Sequence, residues 1–535
     1  MDASASRDVI VLGGGPAGST VATLLARAGR DVLLLEADRH PRVHVGESLL
    51  PGIIPILEAM GALARVEAAG FTAKTGSTHW GWGRTPAWDL WFAETDLFDH
   101  AWLVDRSRFD ALLFDVAAKA GVDVREHAAA RRLIWEGDRV VGVEWRRRGE
   151  EQTRTARARF VVDATGQGAL VARELGLRRL IPGLRHQALW AHYEGTGRLP
   201  PPRERQALFS ARPGHWVWFF PMPEGRASIG MILLESDRAD EEALDAAIAA
   251  DDELRAVIGP SARRVTPVRR ARDWSYRMEQ LVGPGWLLVG DAAGFVDPVL
   301  STGVFLAMHG AYYAAVTLTA ALAGDRDERA ALADYERASQ AMFADMLQIA
   351  RFFYKQTLDR DDYFWKAKAM LVEEHPSVPP RKAFLLLTSG LVRNLALDEA
   401  GVAALARRGR PLTDGAAQTG APPAQLAFIA VHLRYLGVAP PAPIFLVIEP
   451  ADEREAALFR TARLNVSALA PRLDNDPIKI AELDCPLRQL HREIAALDDR
   501  AGESLAEFWA RQRGALVDAL SRLPRSLELV RIFGE

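Results

Sequence analysis

The period of the apolar positions changes along the first forty residues. Asp8 to Leu12 is a short run ending in unbroken apolar residues, which predicts a strand buried on both faces. After Gly13-Gly14-Gly15, the residues Val21, Leu24, Leu25 and Ala28 recur at i, i+3, i+4 and i+7. That spacing predicts a helix from about Pro16 to Arg27, ended by Gly29. Asp31 to Glu36, centred on Leu33-Leu34-Leu35, completes a βαβ unit. Val140 to Trp145 and Ala158 to Val162 bracket a charged stretch and predict a β-hairpin. Its tip carries Arg146, Arg147 and Arg148, followed at once by Glu150 and Glu151, so it reads as solvated rather than as a nucleic-acid patch. Residues 185–285 alternate short strands with Pro/Gly turns, predicting a mainly antiparallel sheet over a pocket. Trp286 to Val289 is another short buried strand, and an alanine-rich helix follows from about Thr302 to Gly324. Residues 326–405 read as mostly helical, 408–424 as a linker or exposed loop rich in Pro and Gly, and 425–535 as short apolar runs mixed with charged helical stretches.

Composition narrows the class. Hydrophobic residues make up 49% of the 535 and charged residues 25%, enough for a sizeable core in two to four domains. The net charge of −4 gives no global pull toward nucleic acid or anionic lipid. The single cysteine, Cys485, has no partner for a disulfide, a redox pair or a metal site. Met1 to Arg7 has no apolar h-region, so no signal peptide is expected, and no run of about 18 apolar residues predicts a membrane span, so cytoplasmic residence is expected. Only seven lysines stand among the 66 basic residues, so a lysine at a motif position is less often a random surface cation.

The chemistry starts at the first turn. Gly13, Gly15 and Gly18 form a GxGxxG between strand and helix. They serve a tight turn, close approach of backbone to a pyrophosphate, and helix–strand packing. The helix N-terminus offers free amides to phosphate, and Glu36 can accept bonds from ribose hydroxyls. The twelve histidines show no HExxH or paired ligand spacing, so no metal site is expected. Gly46-Glu47-Ser48 is not a nucleophile elbow.

Gly290-Asp291-Ala292-Ala293-Gly294 resembles the GD motif of the FAD-dependent monooxygenase superfamily, and Val104 to Asp110 resembles its VxRxxFD segment. The resemblance implies FAD, with Asp291 on the ribityl chain and Arg106 on the cofactor, and amides near Thr302 and Gly303 facing the flavin. It implies an α/β fold: a Rossmann-like FAD-binding core similar to para-hydroxybenzoate hydroxylase, an antiparallel-sheet substrate domain and a mainly helical C-terminal region. Residues 1–340 are then interleaved, about 1–75, 100–175 and 285–340 for FAD and about 76–99 and 176–284 for substrate, with 341–535 as the C-terminal region. Val162-Asp163-Ala164-Thr165-Gly166 is similar to the variant found where a separate flavin reductase delivers diffusible reduced FAD.

Gly70-Phe71-Thr72-Ala73-Lys74-Thr75-Gly76-Ser77-Thr78 resembles the signature of flavin-dependent halogenases, and Val45 to Pro51 their GESLLP loop. His79 departs from the usual phenylalanine, and Trp80-Gly81 and Trp82-Gly83 stand one position to either side of the family's Trp-Gly. The resemblance implies that reduced FAD, oxygen and a halide, chloride by abundance or else bromide, yield hypohalous acid handled by Lys74. A lysine suits that task because burial lowers its pKa enough to expose a nucleophilic amine, which arginine cannot offer. Trp216, Trp218 and Phe220 resemble the family's WxWxIP, share one strand face, and would keep substrate off the flavin or serve as plain core aromatics. The resemblance carries a halide site to Thr302 and Gly303. Leu300 stands where tryptophan halogenases have glutamate, which resembles the phenol- and pyrrole-type branch and leaves the base for the substrate open, with His79, read as pocket-lining, a candidate. The expected reaction halogenates an electron-rich phenolic, pyrrolic or enolic small molecule of secondary metabolism, free or carrier-tethered. A monooxygenase or a geranylgeranyl-reductase-like enzyme on the same fold is the alternative, and Phe220 leans toward it.

Overall fold

Val9, Ile10, Val11 and Leu12 have no exposed surface, as a central strand of a parallel sheet requires. In the computed structural model they form the strand Arg7–Leu12, flanked in parallel by Val32–Leu35 and Thr153–Asp163. Asp123–Arg125 extends the sheet in parallel beyond Val32–Leu35, and Trp286–Leu288 beyond Thr153–Asp163. The model describes residues 6–95, 98–234, 241–354, 360–370, 380–391, 444–446 and 462–464. The helix Pro16–Arg27 has the limits its sequence predicts, with proline in its first turn and Pro16 to Leu25 buried. It packs against the long helix Gly303–Ala323. That helix is apolar and long enough to cross a membrane by length and composition, yet most of it is buried inside the protein. The expected hairpin is present as Arg139–Arg147 and Thr153–Asp163, joined by a third strand, Ala128–Glu136.

The second sheet has nine strands. Its main path runs Gly294–Phe295, Arg269–Met278, Arg178–Glu194, Arg226–Leu233, His215–Pro221, Ala207–Arg212, Gly76–Trp80 and Ala87–Trp91. Pairing is antiparallel except where Ala207–Arg212 meets Gly76–Trp80. His215–Pro221 shows why both faces are apolar. Val217 and Phe219 enter a core with Leu189, Ile229 and Met231, while Trp216, Trp218 and Phe220 face the opposite way, onto a cavity. Two helices that periodicity missed, Glu242–Ala250 and Asp252–Ile258, contribute Leu244, Ala247, Leu254 and Ile258 to that core. They are too short for a clear helical period, but the second has a start signal: Asp251 accepts from the Leu254 amide at 3.0 Å.

Residues 1–368 with 380–394 form one compact unit, and 369–379 with 395–535 another. The helix Glu328–Phe353 lies within the first unit and runs through position 340, where the sequence places a boundary. The helices Arg360–Met370 and Pro380–Thr388 agree with the helical reading of 326–405. Within the second unit, Ile444–Leu446 pairs antiparallel with Ala462–Leu464. The expected linker at 408–424 and Cys485 lie outside the described residues.

Candidate active site

The carboxyl ends of the parallel strands converge on one place. Leu12-Gly13, Leu35-Glu36, Ala164 and Val289 line a cavity of about 1020 Å³. Open parallel sheets offer such a crevice to ligands. Two glycines there are obligatory. A Cβ on Gly13 (φ +98°) would meet the Ala164 carbonyl oxygen at 2.4 Å, and one on Gly18 would meet the Gly13 carbonyl oxygen at 1.8 Å. Gly15 is on the cavity wall at the N-cap of Pro16–Arg27, beside amides that have no helical acceptor. Glu36, buried, accepts from the amides of Gly14 at 2.6 Å and Asp38 at 2.8 Å, which aims its carboxylate along the same wall. The Asp163 carboxylate is spent on the fold. It accepts from the Thr165 amide and hydroxyl and from the Val171 amide, locking the turn beside Gly13.

Arg106, Asp291 and Gly303 also reach the wall. Burial lifts the Asp291 carboxyl to about 6, against the opposing charge of Arg106. Arg106 grips Asp110 through Nε at 2.7 Å and Nη2 at 2.9 Å, and donates from Nη1 to the Val45 carbonyl at 2.7 Å and to that of Gly46 at 3.3 Å. Part of its guanidinium stays free for a ligand, but its main work is to hold the loop of residues 42–48, which forms one side of the cavity. A second clamp on that loop was not foreseen: Glu47 Oε1 lies 2.6 Å from His192 Nε2, and this bond raises the His192 pKa. Helix-start amides, a buried acid at the end of the second strand, a buried aspartate and a cavity of this size fit FAD.

Lys74 ends the strand Thr72–Lys74 and is 2% exposed. Its Nζ donates to Ser48 Oγ at 2.8 Å and to the Leu49 carbonyl at 3.1 Å, and lies 5.1 Å from the Phe92 ring centre. Among the described residues no carboxylate pairs with it. Desolvation lowers its pKa to about 7. Ser48 is on the cavity wall and Lys74 is not, so the amine stands one hydrogen bond behind the cofactor cavity.

On its other side lies an aromatic cluster. His79, read from the sequence as pocket-lining, is not among the residues of the cofactor cavity wall. It is stacked between Trp88 at 4.3 Å and Phe209 at 5.3 Å, with Trp82 and Phe353 edge-on. Trp82 follows His79 by three residues, but the sequence could not foretell the other rings, which come from separate strands and from a distant helix. Desolvation first, then the Lys74 charge, lowers the His79 pKa to about 3, so the ring is neutral and a weak base. Its Nε2 contacts Ser77 Oγ at 3.0 Å, while its Nδ1 and the indole nitrogens of Trp82 and Trp88 are buried with no hydrogen-bond partner among the described residues. Trp216, Trp218 and Phe220 do line the cofactor cavity. Trp218 lies over Gly230, the strand neighbour whose Cβ would come within 2.3 Å of the indole. That glycine is a sequence signal for the ring that had gone unread.

Gly303 opens its helix on the cavity wall with space around it, while Thr302 is buried behind the wall. Among the described residues the buried Thr302 Oγ1 has no hydrogen-bond partner, so a donor is available beside the free amides of the helix start. Among the described residues no group of three or more His, Cys, Asp or Glu could hold a metal ion.

A family model described as tryptophan halogenase matches residues 8–96 and 90–381. The chain is 34% identical over 384 residues to the tryptophan 2-halogenase of Chondromyces crocatus, covering 70% of this chain and 73% of that one. It is 30% identical over 360 residues to the 1H-pyrrole-2-carbonyl peptidyl-carrier-protein chlorinase of Pseudomonas fluorescens, covering 62% and 79%. The solved structure of the myxobacterial chondrochloren halogenase, described as a variant of FAD-dependent halogenases, superposes with a TM-score of 0.62 at 34% identity, covering 68% of this chain and 85% of that one.

Proposed function

The chain belongs to the tryptophan halogenase family and is an FAD-dependent halogenase with a halide co-substrate, and from that premise we propose that Lys74 passes the activated halogen to an electron-rich small molecule. Bound reduced FAD supplies, with oxygen, the oxidation of halide to hypohalous acid. The observation that carries the Lys74 assignment is its position: a buried amine with no carboxylate partner among the described residues, one hydrogen bond behind the cofactor wall and beside an aromatic cluster. With its pKa near 7, both useful forms are accessible. The ammonium donates a hydrogen bond to the hypohalous oxygen. The neutral amine attacks the halogen, forming an N–halogen bond with loss of water, and the substrate carbon then takes the halogen and returns its proton.

Thr302 and Gly303 are the halide site in this reading, supported by the free helix-start amides and the unpartnered Thr302 hydroxyl. Glu36, Arg106, Asp291 and the glycines Gly13, Gly15 and Gly18 hold FAD, and Trp216, Trp218 and Phe220 wall its cavity. Residues of about 1–75, 100–175 and 285–340 serve the cofactor, and 76–99 with 176–284 the substrate. A separate flavin reductase supplies the reduced cofactor, in the cytoplasm. Phenols, pyrroles and enols remain the expected substrates, free or carrier-bound. The Chondromyces relative carries tryptophan in its name. Position 2 of an indole lies in its pyrrole ring, so tryptophan belongs in the same test.

That test supplies FAD, NADH, a flavin reductase and chloride or bromide with a panel of phenols, pyrroles, enols and tryptophan, and reads halogen isotope patterns by mass spectrometry. Lys74→Ala is expected to lower halogenation on the order of a hundredfold, as for loss of a positioned acid–base group, while FAD still binds. Halogenation by Lys74→Ala at the wild-type rate would overturn the lysine assignment. Oxygenated products formed without halide would instead support the monooxygenase alternative.

A further inference from the structure

Trp216 has one polar atom, and its partner comes from far along the chain. Trp216 Nε1 donates to Tyr354 Oη at 3.2 Å. Tyr354 Oη in turn donates to Asp297 Oδ1. Asp297 is buried and pinned, since the same oxygen accepts from the Val299 amide at 3.0 Å. Tyr354 follows the last turn of the helix Glu328–Phe353, and its ring lies 4.9 Å from that of His186 and 6.5 Å from that of Trp82. Asp297 stands five residues before Thr302, at the N-cap of the turn that leads into Gly303–Ala323. One phenol oxygen therefore joins the aromatic wall of the cofactor cavity to the segment that starts the long helix.

We propose that Tyr354 is a positioning residue for halogenation: by tying the Trp216 indole to Asp297 it fixes that ring on the cofactor wall and keeps water out of the cavity. The proposal rests on the FAD and halide reading above. Rings also pack on Trp216, Trp82 at 6.1 Å, Phe209 at 5.9 Å and Trp218 at 5.9 Å, and its strand partners are Ala211 and Ile232. Ring packing resists compression but sets no unique rotation, whereas a donor–acceptor bond from the indole nitrogen does. An indole free to turn opens the wall to solvent. Water in such a site favours the side reaction in which reduced FAD and oxygen give FAD and hydrogen peroxide, with no halogen transferred.

The test uses Tyr354→Phe, which keeps the ring and removes the oxygen, Trp216→Phe, which removes the donor, and the double variant. The first measurement needs no turnover: the emission of bound oxidised FAD, which a fixed neighbouring indole quenches. Tyr354→Phe is expected to raise that emission while FAD affinity changes little. The second is peroxide formed per reduced flavin consumed, expected to rise at least about threefold as water enters. In the Trp216→Phe background, Tyr354→Phe is expected to add nothing to either. Wild-type emission and peroxide yield in Tyr354→Phe, or its full effect persisting without Trp216, would overturn the proposal. Should Tyr354→Phe fail to fold, Trp216→Phe tests the same bond from the donor end, and unchanged emission and peroxide yield there would equally overturn it. If the wild type halogenates nothing, the functional reading fails, while the emission cycle still decides whether Tyr354 fixes Trp216.

Discussion

Lys74 is an amine held in a place that disfavours its charge, and that has a consequence for stability as well as for chemistry. Its pKa falls from 10.5 to about 7 on folding because burial removes the water around the ammonium. Between those values the unfolded chain binds more protons than the folded one, so the lysine's contribution to stability improves as pH rises through that window. Below about pH 7 the folded protein bears the full penalty of a buried ammonium. Lys74→Met, which keeps the apolar stem, is therefore expected to raise the melting temperature more at pH 6 than at pH 10. The lost hydrogen bonds to Ser48 and Leu49 subtract similarly at both pH values, so thermal melts of both proteins at the two pH values isolate the charge. A difference that does not shrink with rising pH would mean the ammonium is solvated after all. The sequence singled out Lys74 by motif and by the scarcity of lysine. It could not show Ser48 as the link to the cofactor wall, because that contact joins residues 26 apart through folding alone.

At the level of elements, what was legible and what was not divides by the range of the interaction. The βαβ start was readable to within a residue because its period, its glycines and its proline are local. The alternation in His215–Pro221 was readable for the same reason. The helices Glu242–Ala250 and Asp252–Ile258 were missed because they are short, and the parallel pairing of Ala207–Arg212 with Gly76–Trp80 because it connects distant segments. The aromatic neighbours of His79 and the Tyr354 tie are equally non-local. The start of the helix Gly303–Ala323 stands between these cases: its limits were legible, but the unpartnered hydroxyl of Thr302 was not. Because that hydroxyl holds nothing in the fold, Thr302→Val is expected to leave the melting temperature nearly unchanged. If the helix start receives halide, the same change raises the half-saturating chloride concentration by roughly ten- to a hundredfold, in line with about 1.5–3 kcal/mol for a hydrogen bond to a charged partner. A chloride titration of product formation decides it: unchanged chloride dependence would remove Thr302 from the site.

For the whole molecule, the distribution of charge matters more than its sum. The chain is acidic overall, with a net charge of −4. The cofactor cavity is not: Arg42, Arg106, Arg131, Arg173, Arg269 and Arg270 line it, against Glu36, Asp38, Glu47 and Asp291. Glu47 is matched by His192 and Arg106 by Asp110. Arg131, Arg173, Arg269 and Arg270 make no ion pair or side-chain hydrogen bond among the described residues, although Arg173 shares its field with Asp163 and Glu174, so the charge of the other three is not met by a direct partner. The first two flank the dinucleotide end of the cavity, beside Ala130 and Leu170, and the other two stand on the sheet that carries the aromatic wall. A pyrophosphate-bearing cofactor arriving from solution thus meets a positive cavity in a negative protein. Concave, single-signed surfaces raise association rates, and salt abolishes the gain. Association of FAD, followed by the change in flavin emission in stopped flow, is expected to slow as ionic strength rises. Replacing Arg269 and Arg270 with glutamine is expected to lower the low-salt rate by up to roughly tenfold and to flatten the salt dependence, with dissociation little changed because neither residue belongs to the glycine cradle. A salt-independent rate in the wild type would mean that capture of the cofactor depends on the shape of the cleft alone.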